Sequence, residues 1–145
     1  MKIVSFNMNS IRARIHQLEA LKAALDPDII GVQETKVHDD EFPVEAIEAL
    51  GYKVAYHGQK GHYGVATLYK SEAIKIIKGF PEDDESAQRR FITTQFALND
   101  GRTLTVMNGY FPQGESQDHE TKYPAKRKFY ADLSALLAND YSNED

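Results

Sequence analysis

The sequence contains no cysteine, no long hydrophobic run and no excess of positive charge, and each absence narrows the classes of protein it can encode. Without cysteine there is neither a disulfide framework nor a zinc–thiolate site, which suits a reducing cytoplasm. No apolar run approaches the roughly 20 residues of a membrane-spanning helix. The chain begins directly with a strand-like pattern, so we expect no secretory signal peptide. We therefore expect a cytoplasmic protein that does not enter a membrane.

The net charge of −5 argues against a protein that coats DNA without sequence preference, because such binding depends on Lys and Arg side chains that neutralise phosphates. An acidic, metal-dependent site with a local basic rim is compatible with this charge. Each candidate for such a rim has the alternative of being an ordinary solvated charge. The candidates are Arg12, Arg14, Lys36, Lys60, Arg89, Arg90 and the run Lys126-Arg127-Lys128.

The chain of 145 residues, 41% hydrophobic and 27% charged, has the composition of an ordinary globular domain. In its first third, apolar residues at spacings of three and four predict a helix over residues 12–25, with Asn9 or Ser10 as its N-cap. A contiguous apolar run predicts a buried strand over residues 28–33. A short helix is predicted from Pro43 through Leu50.

From Tyr52 the hydrophobic period changes to two, which is typical of strands. Strands are predicted over residues 52–57, 65–69 and 73–78, and an acidic loop over residues 79–88. Two further strands, 91–98 and 102–108, flank the hairpin signal Asn99-Asp100-Gly101. A last helix follows a loop, with apolar positions at Phe129, Leu133, Leu136 and Leu137. This order predicts one layered sheet, antiparallel or mixed, with helices on its outer face.

Three of the apolar runs end in a short polar cluster, and the clusters contain Asn7, Glu34 and Tyr110. In α/β sheets, functional groups lie just past the strand ends. An amide, a carboxylate and a phenol suit the binding of a divalent cation and a phosphodiester, since Mg²⁺ often needs only one or two carboxylates. Taken alone, Glu34 reads more simply as a surface residue, Asn7 as a turn-capping amide and Tyr110 as a half-buried strand residue.

Five segments together resemble the exonuclease III family, the bacterial apurinic/apyrimidinic endonucleases of the endonuclease/exonuclease/phosphatase superfamily. They are Ser5-Phe6-Asn7, Gln33-Glu34-Thr35-Lys36, residues 56–66, Ala87-Gln88-Arg89-Arg90 and residues 108–114. The resemblance extends from Met1 to about Leu137. It implies an α/β fold, the N-terminal half of a four-layer α/β/β/α sandwich of the DNase I type.

The resemblance also implies a role for each matching residue. Glu34 and Asn7 would hold Mg²⁺ or Mn²⁺, and Asn7 and Tyr110 would act on the scissile phosphate, while Asn108 is expected to support the turn. Arg90 and Gln113 resemble positions that contact DNA, and Lys36 and Lys60, as candidates for the basic rim, are predicted to contact it too. The implied activity is metal-dependent phosphodiester hydrolysis in DNA repair, with 3′→5′ exonuclease action on duplex ends and incision at abasic sites.

The sequence departs from the family pattern in its length. The family's Gly-Asp-x-Asn motif, a further metal-site aspartate and a C-terminal Asp-His pair do not occur in the 145 residues. We therefore interpret residues 1–145 as a partial domain that stops before the Gly-Asp-x-Asn strand. Its expected partners are double-stranded DNA and the missing C-terminal half, and its activity alone is doubtful. Half of a two-sheet sandwich would also leave an apolar sheet face uncovered.

Two other functions stay open at this point. The first is another phosphohydrolase of the same superfamily, although Arg89-Arg90 and the Tyr110-Phe111-Pro112-Gln113-Gly114 loop favour DNA as the substrate. The second is a non-catalytic remnant or binding module, because half of the family's functional residues are absent from the sequence.

Overall fold

The computed structural model describes residues 1–141, and these residues form seven strands and three α-helices. No helix in this part of the chain is long and apolar enough to cross a membrane. In chain order the elements are β1 (Ile3–Asn7), α1 (Ile15–Leu25), β2 (Ile29–Gln33), a 3-10 turn (Asp39–Glu41), α2 (Val44–Ala49), β3 (Lys53–His57), β4 (Val65–Tyr69), β5 (Lys75–Lys78), β6 (Phe91–Ala97), β7 (Thr103–Gly109) and α3 (Lys122–Asp140).

Most strands lie where the sequence pattern predicts them. The limits of β4 agree with the prediction, and β6 and β7 pair as an antiparallel hairpin around Asn99-Asp100-Gly101. The strand β5 begins at Lys75, two residues later than predicted. Local alternation and turn chemistry are therefore sufficient to place these strands.

The predicted start of the first helix is wrong. The helix α1 begins at Ile15, and Arg14 before it makes no side-chain capping bond. Asn9 and Ser10, the predicted caps, instead adopt left-handed backbone with φ of 47° and 90°. The predicted end is confirmed, because Asp26 closes the helix with φ 44°.

Hydrogen bonds to the end of β2 explain the late start of α1. The amide of Ser10 donates to the carbonyl oxygen of Glu34 at 2.8 Å, and the amide of Ile11 donates to that of Thr35 at 3.1 Å. These long-range bonds use the amides that a first helical turn would otherwise leave free. The segment after β1 is therefore held as a turn against β2.

The strands form two sheets, where the sequence analysis predicted one. The first has the order β1-β2-β4-β3 and the second the order β5-β6-β7. The strand β1 runs parallel to β2, and the other neighbouring strands are antiparallel. Hydrophobic alternation identifies each strand, but it does not say whether the next strand extends the same sheet or packs against it.

Both faces of the four-stranded sheet are covered. The helices α1 and α2 bury one face through residues that include Leu18 and Ile47. The second sheet covers the other face, with Ile92 and Phe96 of β6 in the shared core. The expectation of an uncovered apolar sheet face is therefore wrong for most of this sheet. Exposed apolar side chains are found on its edge strand β1, where Ile3 is 53% exposed.

The chain divides into two compact units. The first consists of Met1–Gly79 and Gln88–Tyr110 and contains both sheets with α1 and α2. The second consists of residues 80–87 and the chain from Phe111 onward, and it contains α3. In this second unit Phe129 is buried, and the ring centroids of Phe80 and Phe111 lie 5.3 Å and 4.8 Å from it. Leu137, expected on the apolar face of α3, is 42% exposed.

Candidate functional site

Asn7, Glu34 and Tyr110 meet at one edge of the two sheets. Asn7 ends β1 opposite Gln33 of β2, so Glu34 follows directly beside it. Asn7 Nδ2 donates a hydrogen bond to Glu34 Oε1 at 3.0 Å. Tyr110, the residue after β7, donates a second hydrogen bond to the same carboxylate. The structure thus brings together the amide, the carboxylate and the phenol that the sequence places far apart.

Lys36 belongs to the same cluster. Its Nζ lies 3.4 Å from Glu34 Oε2 and also donates to Asn9 Oδ1. The amide of Asn9 in turn donates to Asn7 Oδ1 at 3.1 Å. A cation therefore already balances the charge of Glu34 in the protein alone.

These contacts set the protonation states of the site. Burial by itself raises the pKa of Glu34, but hydrogen bonds from Asn7, Tyr110 and Lys36 outweigh it, and the net pKa lies below the ordinary 4.5. Burial and the hydrogen bond to Glu34 raise the pKa of Tyr110 above its ordinary value. At neutral pH the site therefore presents an ionised carboxylate and a neutral phenol that can donate a hydrogen bond.

The backbone around Glu34 is strained. Glu34 and Lys36 both have φ of 55°, the left-handed region that costs an L-residue roughly 1–2 kcal/mol. Two bonds hold the segment in place: the amide of Thr35 donates to Gly64 O at 3.2 Å, and that of Lys36 to Tyr63 O at 2.9 Å. The bonds from the loop before β4 keep Glu34 and Lys36 close enough to pair.

Arg90 lies between two aromatic rings. Its Cζ is 4.4 Å from the ring centroid of Tyr63 and 4.7 Å from that of Tyr110, close enough for cation–π attraction to both. Its Nη1 donates to the carbonyl oxygen of Tyr110 at 3.1 Å and its Nε to Gln88 Oε1 at 2.6 Å. Burial lowers the pKa of Arg90, and the two tyrosines oppose this shift. The guanidinium is thus part of the wall of the site.

Tyr63 is a site residue that sequence reasoning missed. The glycines that flank this segment, Gly61 and Gly64, are typical of a loop with positive φ, but they give no sign that the ring of Tyr63 faces Arg90. Tyr63 itself adopts left-handed backbone with φ 55°. Only the pairing of β3 with β4, and the hydrogen bond from the amide of Gly64 to Arg89 O at 2.9 Å, bring this loop to Arg90.

The structure does not bring Lys60 into the cluster around Glu34. Lys60 is exposed in the loop after β3, and its link to the site runs through the neighbouring amide of Gly61, which donates to Lys36 O at 3.2 Å. Gln113 lies in the second unit, exposed. There it lines an open cleft of about 610 Å³ together with residues that include Tyr123, Lys126, Arg127 and Tyr130.

Asn108 was predicted to support the turn after β7, but its side-chain hydrogen bonds go to the four-stranded sheet. Its side chain is buried between the two sheets, only 5% exposed. Its Nδ2 donates to Val32 O at 3.1 Å and to Ala66 O at 2.9 Å, and its Oδ1 accepts a bond from Gln33 Nε2 at 2.7 Å. The side chain therefore reaches from β7 into the four-stranded sheet.

The site offers a partial set of ligands for a divalent cation. Within residues 1–141, no group of three or more His, Cys, Asp or Glu side chains is placed to hold a metal ion. The one ionised carboxylate, that of Glu34, accepts a bond from the amide nitrogen of Asn7, and the amide oxygen of Asn7 accepts one from the amide of Asn9. Mg²⁺ commonly uses one or two carboxylates and completes its shell with water and phosphate oxygens. The residues fit a divalent cation as part of such a shell.

Comparison with known proteins identifies the family. The sequence model of the Endonuclease/Exonuclease/phosphatase family matches residues 4–145, and the chain belongs to this family. It is 56% identical to the exodeoxyribonuclease III of Haemophilus influenzae over all of this chain and 54% of that protein. It is 31% identical to an exodeoxyribonuclease of Bacillus subtilis over 77% of this chain and 43% of that protein.

Solved structures support the same relationship. A Neisseria 3′ phosphatase bound to a product DNA hairpin matches with a TM-score of 0.88 and 31% identity, over 99% of this chain and 53% of that one. An AP endonuclease from Archaeoglobus fulgidus matches with a TM-score of 0.83 and 35% identity, over 94% of this chain and 51% of that one. The chain spans about half the length of these proteins. These matches confirm the resemblance to the exonuclease III family. They also confirm the prediction that this chain forms half of a DNase I-like sandwich.

Proposed function

We propose that this chain supplies one half of the active site of a DNA-repair nuclease of the exonuclease III type, which hydrolyses phosphodiester bonds with a divalent cation. The observation that carries the proposal is the convergence of Asn7 and Tyr110 on the carboxylate of Glu34 in a chain of this family. The names of the similar proteins point to DNA as the substrate. We infer duplex DNA with abasic sites or 3′ ends, met in the cytoplasm.

Each residue of the cluster has a role that its chemistry supports. Glu34 and Asn7 would hold Mg²⁺ or Mn²⁺, which when bound would neutralise charge on the phosphate. The neutral phenol of Tyr110 would donate its hydrogen bond to a phosphate oxygen as negative charge develops there. Lys36 and Arg90 lie beside Glu34 and Tyr110, where they would attract the DNA backbone. Lys60 and Gln113 are exposed and would contact the duplex.

The proposed partner within the fold is a C-terminal half. In the described residues, β1 pairs only with β2 and β7 pairs only with β6, so each presents an edge to which further strands could be added. The family resemblance leads us to expect a Gly-Asp-x-Asn motif and an Asp-His pair, which would transfer protons. These groups do not occur in the 145 residues. Such groups contribute typically about 100- to 10,000-fold to a rate, so we expect little or no cleavage by the chain alone.

Cleavage of a duplex with one abasic site, in Mg²⁺, tests the proposal directly. We expect little product from the purified chain, and incision once the C-terminal half of the H. influenzae relative is added. In that mixture Tyr110→Phe should lower turnover and leave folding intact. Robust cleavage by the chain alone would contradict the half-site. Absence of cleavage in the mixture, with complex formation shown, would favour a non-catalytic binding module.

A second candidate activity is removal of a 3′ phosphate from a DNA end. It is favoured by the match to the Neisseria 3′ phosphatase with product DNA, and it would use the same cluster on a phosphomonoester. A hairpin ending in a 3′ phosphate, tested in the same mixture, separates the two activities. Release of inorganic phosphate without strand incision would assign the chain to a phosphatase.

A further inference from the structure

We propose that Asn108 and Gln33 are positioning residues that clamp the end of β7 to the end of β2, so that Tyr110 and Glu34 meet in one site. The inference rests on the proposed function, because it concerns how the two halves of that site are held together. Asn108 lies two residues before Tyr110, and Gln33 lies one residue before Glu34. The bond between Asn108 and Gln33 therefore lies next to Tyr110 and Glu34.

Asn108 uses most of its hydrogen-bonding capacity across the sheet interface. Both of its Nδ2 hydrogens have a backbone acceptor in the opposite sheet, Val32 O at 3.1 Å and Ala66 O at 2.9 Å. Its Oδ1 accepts the bond from Gln33 Nε2 at 2.7 Å. A buried amide that left these positions would lose three bonds without water to replace them, so its location is strongly determined.

Gly31 is the feature of β2 that admits this side chain. A Cβ at Gly31 would lie 3.2 Å from Asn108 Cγ and 3.3 Å from Asn108 Oδ1. These distances are shorter than ordinary van der Waals contacts to carbon, so a side chain at position 31 would push Asn108 away from β2. The backbone of Gly31 is not in the left-handed region, and it is the missing side chain that matters.

Gln33 extends the clamp to the strand that carries Asn7. Besides Asn108 Oδ1, its Nε2 lies 3.1 Å from Ser5 Oγ of β1 and 3.2 Å from Gly31 O. One side-chain amide thus connects β1, β2 and β7, the three strands whose ends supply Asn7, Glu34 and Tyr110. The network and the proposed site have the same three strands in common.

The apolar part of the interface between the sheets lacks this directional character. It consists of side chains such as Tyr69, Ile92 and Phe96, and hydrophobic contact does not by itself set orientation. The buried hydroxyls of Thr67 and Thr94 have no hydrogen-bond partner among the described residues. Asn108 therefore supplies a geometric constraint that the apolar packing lacks.

Backbone amide hydrogen exchange of the chain, without DNA or metal, tests the clamp. Two reporters lie at the site: the amide of Tyr110, bonded to Arg90 O at 2.7 Å, and that of Ser10, bonded to Glu34 O at 2.8 Å. A third, the amide of Leu98, bonded to Arg102 O at 2.8 Å, lies at the far end of the β6–β7 hairpin. In Asn108→Leu we expect both site amides to exchange about tenfold faster relative to Leu98.

Control variants separate positioning from general stability. Val106→Ala removes packing from the same interface and should speed the hydrogen exchange of all three amides by one common factor. Thr94→Val removes a hydroxyl without a partner and should change none of them. If Asn108→Leu is too unstable to measure, Gln33→Leu removes one member of the clamp and should show the same selective pattern, more weakly.

If the exchange rates of all three amides change by the same factor in both Asn108→Leu and Gln33→Leu, the clamp proposal is wrong. Such a result would assign Asn108 and Gln33 to overall stability alone. That result would leave the proposed nuclease function standing. Conversely, failure of the cleavage experiment does not affect the exchange measurement, which needs no catalysis.

Discussion

Asn7 Nδ2 donates to Glu34 Oε1 at 3.0 Å, joining two residues that are 27 positions apart in the chain. The bond connects the ends of two parallel strands. Because Glu34 also accepts a bond from Tyr110 and pairs with Lys36, its carboxylate is the point where three segments meet. Changes at this carboxylate should therefore affect both cation binding and acid stability.

Glu34→Gln should weaken binding of Mn²⁺ to the chain by about tenfold or more, because it removes the anionic ligand that a hard cation requires. Paramagnetic broadening of NMR signals near residues 7 and 34 measures this binding without any nuclease activity. Glu41→Gln is the matched control, since Glu41 pairs with Arg12 on the surface. Equal Mn²⁺ affinity in both variants would remove Glu34 from the proposed metal site.

The acid stability of the chain should depend on Glu34. Its folded pKa lies below the ordinary 4.5, so its ionised form favours folding at neutral pH. That contribution is present above the unfolded pKa and is lost as the pH falls through the folded value. The difference in unfolding free energy between wild type and Glu34→Gln should thus be constant above about pH 5.5 and shrink in more acidic solution. Urea titrations at several pH values measure it, and a difference independent of pH would contradict the depressed pKa.

Arg90 should contribute through both its charge and its planar shape. In the mixture with the C-terminal half, Arg90→Ala should weaken duplex binding and reduce the salt slope of log K by about one. Arg90→Lys should restore the salt slope of log K but not the turnover. A lysine cannot stack between Tyr63 and Tyr110 as a guanidinium does.

Arg102→Ala is the control for Arg90, because Arg102 pairs with Asp100 at the hairpin turn, outside the cluster. It should leave turnover unchanged. Full recovery of turnover in Arg90→Lys would show that charge alone matters at position 90. A salt slope unaltered in Arg90→Ala would mean that Arg90 makes no phosphate contact.

Gly64→Ala and Gly61→Ala should differ strongly in stability although both residues have positive φ, +94° and +77°. At Gly61 a Cβ meets nothing within 4 Å, so we expect only the backbone cost of roughly 1–2 kcal/mol. At Gly64 it would lie 2.0 Å from Thr35 Oγ1, and Thr35 is buried beside Glu34. We expect more than about 3 kcal/mol for Gly64→Ala. Thermal and urea unfolding provide the values, and similar losses would show that the loop adapts freely.

Features that depend on neighbours along the chain can be read from the amino-acid sequence. Alternation located β4 and the turn signal at Asn99-Asp100-Gly101 located the β6–β7 hairpin, because strand period and turn chemistry are local properties. The motifs around Asn7, Glu34 and Tyr110 likewise identified the family, since each is a short run of specific residues. The end of α1 is local as well, because the residue before a proline disfavours helical backbone and Asp26-Pro27 follows Leu25.

Features that depend on contacts between distant segments become visible only in the folded chain. The late start of α1 follows from the bond between Ser10 and Glu34 O, and the division into two sheets follows from how β6 packs on the first sheet. The stacking of Arg90 on Tyr63 and the insertion of Asn108 beside Gly31 join residues that no local pattern connects. Hydrogen-bond partners and packing faces are chosen among all segments that the fold brings together, so these relationships exist only once the chain has folded.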